Sequence, residues 1–146
     1  MTSGAARAAT LVRALHAGVQ RDRVAIVDVY TDDVRAWTPA RSTSALSDLL
    51  TELDRRDDAF SEIELDVASL DVGGDYACAE WTVTMTHTGP LEVAGGTIIE
   101  PTNVRITLHG VTVAEFRGDR ICALRQYWDE LAVFDQLGLL DTEEPL

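Results

Sequence analysis

Apolar positions recur at three- and four-residue spacing through the first sixty residues and alternate with polar ones through most of the rest. Ala8, Leu11, Val12, Leu15 and Val19 share one face of a helix predicted over 5–19. Val24, Val27 and Tyr30 mark the inner face of a second helix over 23–30. A short strand follows at 34–38, and Pro39 ends it. Thr43-Ser44 offers an N-cap for a third helix, whose stripe of Leu46, Leu49, Leu50 and Leu53 runs to about Phe60.

Beyond this point the period is two. Ile63, Leu65, Val67 and Ser69 alternate with Glu64, Asp66 and Ala68, as in a half-buried strand. Gly73-Gly74-Asp75 is a hairpin turn, and a long strand over 76–87 stops at Thr88-Gly89-Pro90. Two more strands, over 103–117 and 121–129, flank a tight turn at Gly118-Asp119. Helices followed by long antiparallel strands predict an α+β fold, here one domain over 1–146. Three N-terminal helices cap a curved antiparallel sheet, and the resulting cone has an interior. Residues 142–146 read as a loose tail.

Composition narrows the function. A formal net charge of −13 argues against nucleic acid as partner. No run of eighteen apolar residues is present, and 1–7 lacks the pattern of a secretion signal, so a cytoplasmic location is expected. All 12 basic residues are arginines, which excludes Schiff-base chemistry and a lysine-dependent phosphate loop. Cys78 and Cys122 lie in apolar strands and are expected as buried free thiols; with three scattered histidines they give no zinc-ligand spacing.

Candidate chemistry lies in the C-terminal half. Within Arg125-Gln126-Tyr127-Trp128-Asp129, strand alternation puts Arg125, Tyr127 and Asp129 on one face. A cation, a phenol and a carboxylate in a row suit a pocket that moves a proton and steadies negative charge. Asp129 is equally a carboxylate that pairs with Arg125, and Tyr127 equally a packed aromatic. In the strand over 76–87, Trp81, Val83, Met85 and His87 share a face that suits a small-molecule pocket, or simply a core. Trp37 adds an aromatic wall from the first strand. Burial of Asp129 among Tyr127, Trp81 and Met85 would favour the neutral acid, whereas Arg125 would favour the carboxylate. His87 is a structural histidine or a pocket group. His16 and His109 read as surface or core fittings, and Glu80 as the partner of an arginine. Asp54, Asp57 and Asp58, interleaved with Arg55 and Arg56, read as a solvated helix end. The opposite face of the same strand, with Cys78, Glu80, Thr82, Thr84 and Thr86, reads as exposed or dimer-forming.

The order of elements resembles the nuclear transport factor 2-like (cystatin-like) superfamily of cone-shaped domains. The succession Thr86-His87-Thr88-Gly89-Pro90, Glu100-Pro101-Thr102, Phe116-Arg117-Gly118-Asp119-Arg120-Ile121, Tyr127-Trp128-Asp129 and Gln136-Leu137-Gly138 is similar to its SnoaL-like polyketide cyclase and ester cyclase branch. In the cyclases of that branch, an aspartate seven residues before the glutamine of the glutamine-leucine-glycine motif is the acid/base. The resemblance therefore implies that role for Asp129 and, by its motif match, a pocket role for His87; the residues themselves offer Arg125 as a further catalytic candidate, steadying an enolate or binding a substrate carboxylate, and Trp37, Trp81, Met85 and Tyr127 as substrate-binding ones. The resemblance also implies intramolecular aldol cyclisation of a polyketide-like or polycyclic carbonyl compound, with no metal or organic cofactor, in a homodimer packed sheet to sheet. Hydroxylation or epoxide opening in the same pocket is an alternative, as is a module that only binds a small ligand. Ketosteroid isomerase relatives place their base on an aspartate before a proline in the early strand. Thr38 precedes Pro39 here, which disfavours that chemistry.

Overall fold

A computed structural model describes residues 3–140; the expected tail at 142–146 lies outside them. Helix α1 (Gly4–Gln20) begins at Ser3, whose side chain accepts a hydrogen bond from the Ala6 N–H at 3.1 Å. Its inner face is built from Leu11, Ala14, Ala17 and Gly18. These small residues let the helix lie close to the equally small Ala77, Ala79 and Ala114 of the sheet.

Arg21, in the left-handed conformation at φ 57°, turns the chain into α2 (Arg23–Val29). This helix buries Ala25, Ile26 and Val29 and exposes Val24 (82%) and Val27 (50%), so the expected inner face is corrected. Apolar residues stand on both sides of this two-turn segment, and spacing alone does not choose between them. Tyr30, expected at the end of that helix, instead opens strand β1 (Tyr30–Trp37) and is buried. Thr43 is not a cap: it lies in the two-residue strand β2 (Ser42–Thr43), and α3 (Leu46–Ala59) starts after Ala45 without a side-chain cap. Asp57 is also corrected. It is 5% exposed and ion-paired with Arg21 at 2.7 Å and Arg56 at 3.0 Å, tying α3 to the end of α1.

Strands β3 (Phe60–Leu70), β4 (Tyr76–His87), β7 (Arg105–Arg117) and β8 (Arg120–Trp128) are long and antiparallel. A small hairpin of β5 (Leu91–Glu92) and β6 (Ile98–Ile99) interrupts them. The main sheet has the order β2-β1-β8-β7-β4-β3. The β1–β8 pair is parallel, so the sheet is mixed rather than purely antiparallel as the hairpin turns suggested. Helix α3 and strands β3, β4 and β7 separate β1 from β8 in the chain, and strand alternation does not encode that pairing.

Register shifts at Ser61/Glu64 and Glu115/Phe116 bend the long strands, the first with Glu62 at φ 52°. Helices α1, α2 and α3 pack on the inner face of the sheet. Cys78 and Cys122 are free thiols, the first buried and the second half-buried.

Gly110 on β7 stands between Trp81 of β4 and Trp128 of β8. A Cβ there would meet the Trp81 ring at 2.3 Å and the Tyr127 carbonyl oxygen at 2.7 Å. Gly110→Ala is therefore expected to destabilise the fold by about 1–3 kcal/mol, as overpacking does. A lower urea midpoint at unchanged slope would show it.

Candidate active site

The paired strands decide which side chains meet. Trp81 stands opposite Gly110, and Gly110 opposite Trp128, on the face that the helices cover. Val111 stands opposite Tyr127, and Val113 opposite Arg125, on the other face. The expected pocket is therefore split. Trp81, Met85 and His87 are buried on the inner face. Arg125 and Tyr127 lie on the outer one with Trp37, whose ring centroid is 5.1 Å from that of Tyr127. The two outer aromatic residues are 42% and 46% exposed. Their face also carries an open depression of about 550 Å³, lined in part by Asp66, Glu80, Thr82, His109 and Tyr127. Within it, His109 Nδ1 and Thr82 Oγ1 lie 3.0 Å apart. Glu80 makes no ion pair among the described residues, contrary to expectation.

Arg125 does not pair with Asp129. It donates from Nη1 to Glu115 Oε2, and that hydrogen bond holds the guanidinium above its ordinary pKa. Asp129 is exposed at the end of β8, and its Oδ1 accepts the N–H groups of Leu131 (3.0 Å) and Ala132 (3.3 Å). It is the N-cap of helix α4 (Glu130–Gln136), an element the alternation did not predict.

The spacing of seven between Asp129 and Gln136 is the length of this helix. At its far end the Gln136 amide accepts the Thr107 N–H at Oε1 and donates from Nε2 to the Thr107 carbonyl, both at 2.8 Å. Pairing of β8 with β7 stops at Gly110, so this side chain does for Thr107 what a neighbouring strand would do. Val133, between the two anchors, and Leu137, just past the second, are buried in the cluster that holds Ile106 and Leu108.

Inside, the wall is apolar with a few placed polar groups. The Trp81 indole donates to Thr112 Oγ1 at 2.8 Å, both groups being buried. Its ring meets Trp128 edge-on, with centroids 6.3 Å apart and planes at 62°. The half-buried Trp128 donates from Nε1 to Glu130 Oε2 at 3.1 Å. Sequence reasoning singled out neither Trp128 nor Glu130. The available signal was the inward register position of Trp128, two residues before a carboxylate.

His87 is fully buried and tilted against Phe60, with ring centroids 5.4 Å apart. Its Nδ1 accepts the Thr102 N–H at 3.2 Å, so the neutral ring carries its proton on Nε2. Nε2 is buried without a hydrogen-bond partner of good geometry. The Thr102 contact makes His87 the anchor for the loop that carries the β5–β6 hairpin. Trp81 and Met85 share one buried cluster with Phe60, Ile106 and Leu108, and His87 lies against Phe60. Among the described residues no three His, Cys, Asp or Glu side chains come together as metal ligands.

The family model for the SnoaL-like polyketide cyclase domain matches residues 9–137, and the chain belongs to that family. The fold is that of the nuclear transport factor 2-like superfamily. A candidate SnoaL-like polyketide cyclase from Jannaschia superposes with a TM-score of 0.81 at 17% identity, covering 94% of each chain. AclR from Streptomyces galilaeus, named as a candidate hydroxylase, gives 0.78 at 23% identity, covering 98% of this chain and 87% of its own. An epoxide hydrolase of the LEH-like type from M. tuberculosis gives 0.68 at 17% identity, covering 91% of this chain and 90% of its own. No curated protein matches the sequence.

Burial pushes the pKa of His87 below its ordinary value, and the Gly89 backbone partly offsets this. The folded state therefore keeps His87 neutral where the unfolded chain already binds a proton. The corresponding stability is present above about pH 6.5 and is lost as the pH falls below it. His87→Phe is expected to flatten that part of the curve of denaturation midpoint against pH. A slope identical to wild type between pH 7 and 5 would contradict this assignment.

Proposed function

We propose that this protein is a cofactor-independent acid/base enzyme of polyketide-type secondary metabolism, such as antibiotic biosynthesis, working in the cytoplasm. It cyclises, by intramolecular aldol condensation, or otherwise tailors a polycyclic carbonyl substrate held in the helix-covered interior. The observation that carries this reading is the family match over 9–137, supported by the position of the motif aspartate at the junction of β8 and α4, next in sequence to Trp128.

Asp129 serves as acid/base through Oδ2, Oδ1 being engaged by the helix backbone. Trp81 and Met85 form the wall against which the substrate lies, and His87 supports it from below. Arg125, Tyr127 and Trp37, on the outer face, belong to the sheet-to-sheet contact of a homodimer rather than to the pocket. The half-exposed Thr82, Thr84 and Thr86 on the same face fit that contact. A second reading is hydroxylation or epoxide opening, which the likeness to AclR and to the M. tuberculosis epoxide hydrolase supports.

The test is a panel of aromatic polyketide intermediates, followed by ligand-detected NMR and product analysis, with wild type beside Asp129→Asn. Asparagine caps a helix as well as aspartate does, so this exchange removes the charge and leaves α4 in place. Turnover is expected to fall about 100-fold or more while binding persists. Full turnover in the variant would end the role of Asp129, and binding without conversion in both proteins would favour a ligand-binding module. On the assembly, light scattering at micromolar concentration is expected to give twice the 15.9 kDa chain mass.

A further inference from the structure

The carboxylate tied to the inner wall is not the motif aspartate but its neighbour. Asp129 turns one oxygen back to the α4 backbone and is exposed. Glu130 is half-buried, and its Oε2 is held at 3.1 Å by the indole N–H of Trp128. That indole packs on the inner cluster and meets Trp81 edge-on, and Trp81 is in turn fixed by Thr112. Glu130 is thus the acidic end of a chain of positioned groups running from the buried sheet to the rim. No arginine pairs with it among the described residues.

We propose that Glu130 is a further catalytic residue, the carboxylate that removes a proton from a carbon acid lying against the Trp81 and Trp128 rings, with Trp128 as its positioning residue. This rests on the acid/base reading above and divides its labour. Glu130 takes the proton next to a carbonyl, the C–H electron pair becomes the enolate, and Asp129 returns a proton to the new oxygen.

The removal step can be isolated from the native substrate with 5-nitrobenzisoxazole. A base takes its C3 proton, the electron pair closes the nitrile, the N–O bond breaks, and a coloured phenolate leaves without needing an acid. Wild type is expected to open the ring faster than buffer at the same pH. Glu130→Gln is expected to lose about tenfold or more of that excess rate, whereas Asp71→Asn, an exposed carboxylate on the turn after β3, stays within about threefold of wild type. Trp128→Phe keeps an aromatic ring, though a smaller one, and removes the N–H; it is expected to displace the pH–rate profile, which a purely structural change would leave in place. Glu130→Asp, which keeps the charge on a shorter stem, together with the thermal midpoint of each variant, separates loss of the base from loss of the fold.

Loss of the excess rate in a folded Glu130→Gln supports the proposal. No excess rate in wild type overturns it, as does an excess rate that survives Glu130→Gln. Neither result touches the function reading, which stands or falls on conversion of the polyketide panel by wild type.

Discussion

The paired hydrogen bonds between the Gln136 amide and the Thr107 backbone hold the C-terminal third of the site together. Strand β7 is paired on one edge by β4 along eleven residues, but on the other edge β8 leaves it at Gly110. Without a partner there, Thr107 would present an unsatisfied N–H and carbonyl at the edge of the sheet. The glutamine satisfies both, and in doing so sets the direction of α4. Once α4 is set, Val133 and Leu137 close the inner cluster, Asp129 caps the helix, and Glu130 comes within reach of the Trp128 indole. A single side chain at the sheet edge thus governs where two carboxylates stand.

The interior combines two kinds of polar group. The Trp81–Thr112 bond is buried and complete, and it fixes one indole in place. His87 is buried and only half satisfied: Thr102 occupies Nδ1 while Nε2 has no good partner. The first arrangement rigidifies the wall, and the second carries a desolvation cost that the loop anchorage offsets. Histidine at this position therefore serves the fold before any chemistry, since it joins β4 to the segment bearing the small hairpin.

The outer face is built on another principle. Threonines, the Arg125–Glu115 pair and the Trp37–Tyr127 contact make a surface that is mixed in polarity and half-exposed. The inner face depends on apolar packing under helices, and the outer face on cross-strand pairs. A scaffold divided in this way lets the interior vary its chemistry while the other surface is free for association. That division is consistent with a family whose structural relatives carry the names of a cyclase, a hydroxylase and an epoxide hydrolase.

Much of the fold was legible in the chain itself. Period two placed β4 at its observed bounds, and three-four spacing placed α1 and α3 to within a residue or two. The inner set Trp81, Met85 and His87 also followed from alternation, because side chains on one strand must alternate faces whatever the strand meets. The same rule put Arg125 and Tyr127 together, correctly, but was silent on whether their face was the one shared with Trp81. That depended on the register of β7 between β4 and β8, a long-range pairing that no local pattern records. Nor does local pattern reveal that a motif glutamine stands in for a strand, that the motif aspartate caps a helix, or that β1 joins the sheet by pairing in parallel with β8. Periodicity is a property of one segment and is written in its residues. Which faces, edges and carboxylates come together is a property of pairs of segments, and only the folded chain decides it.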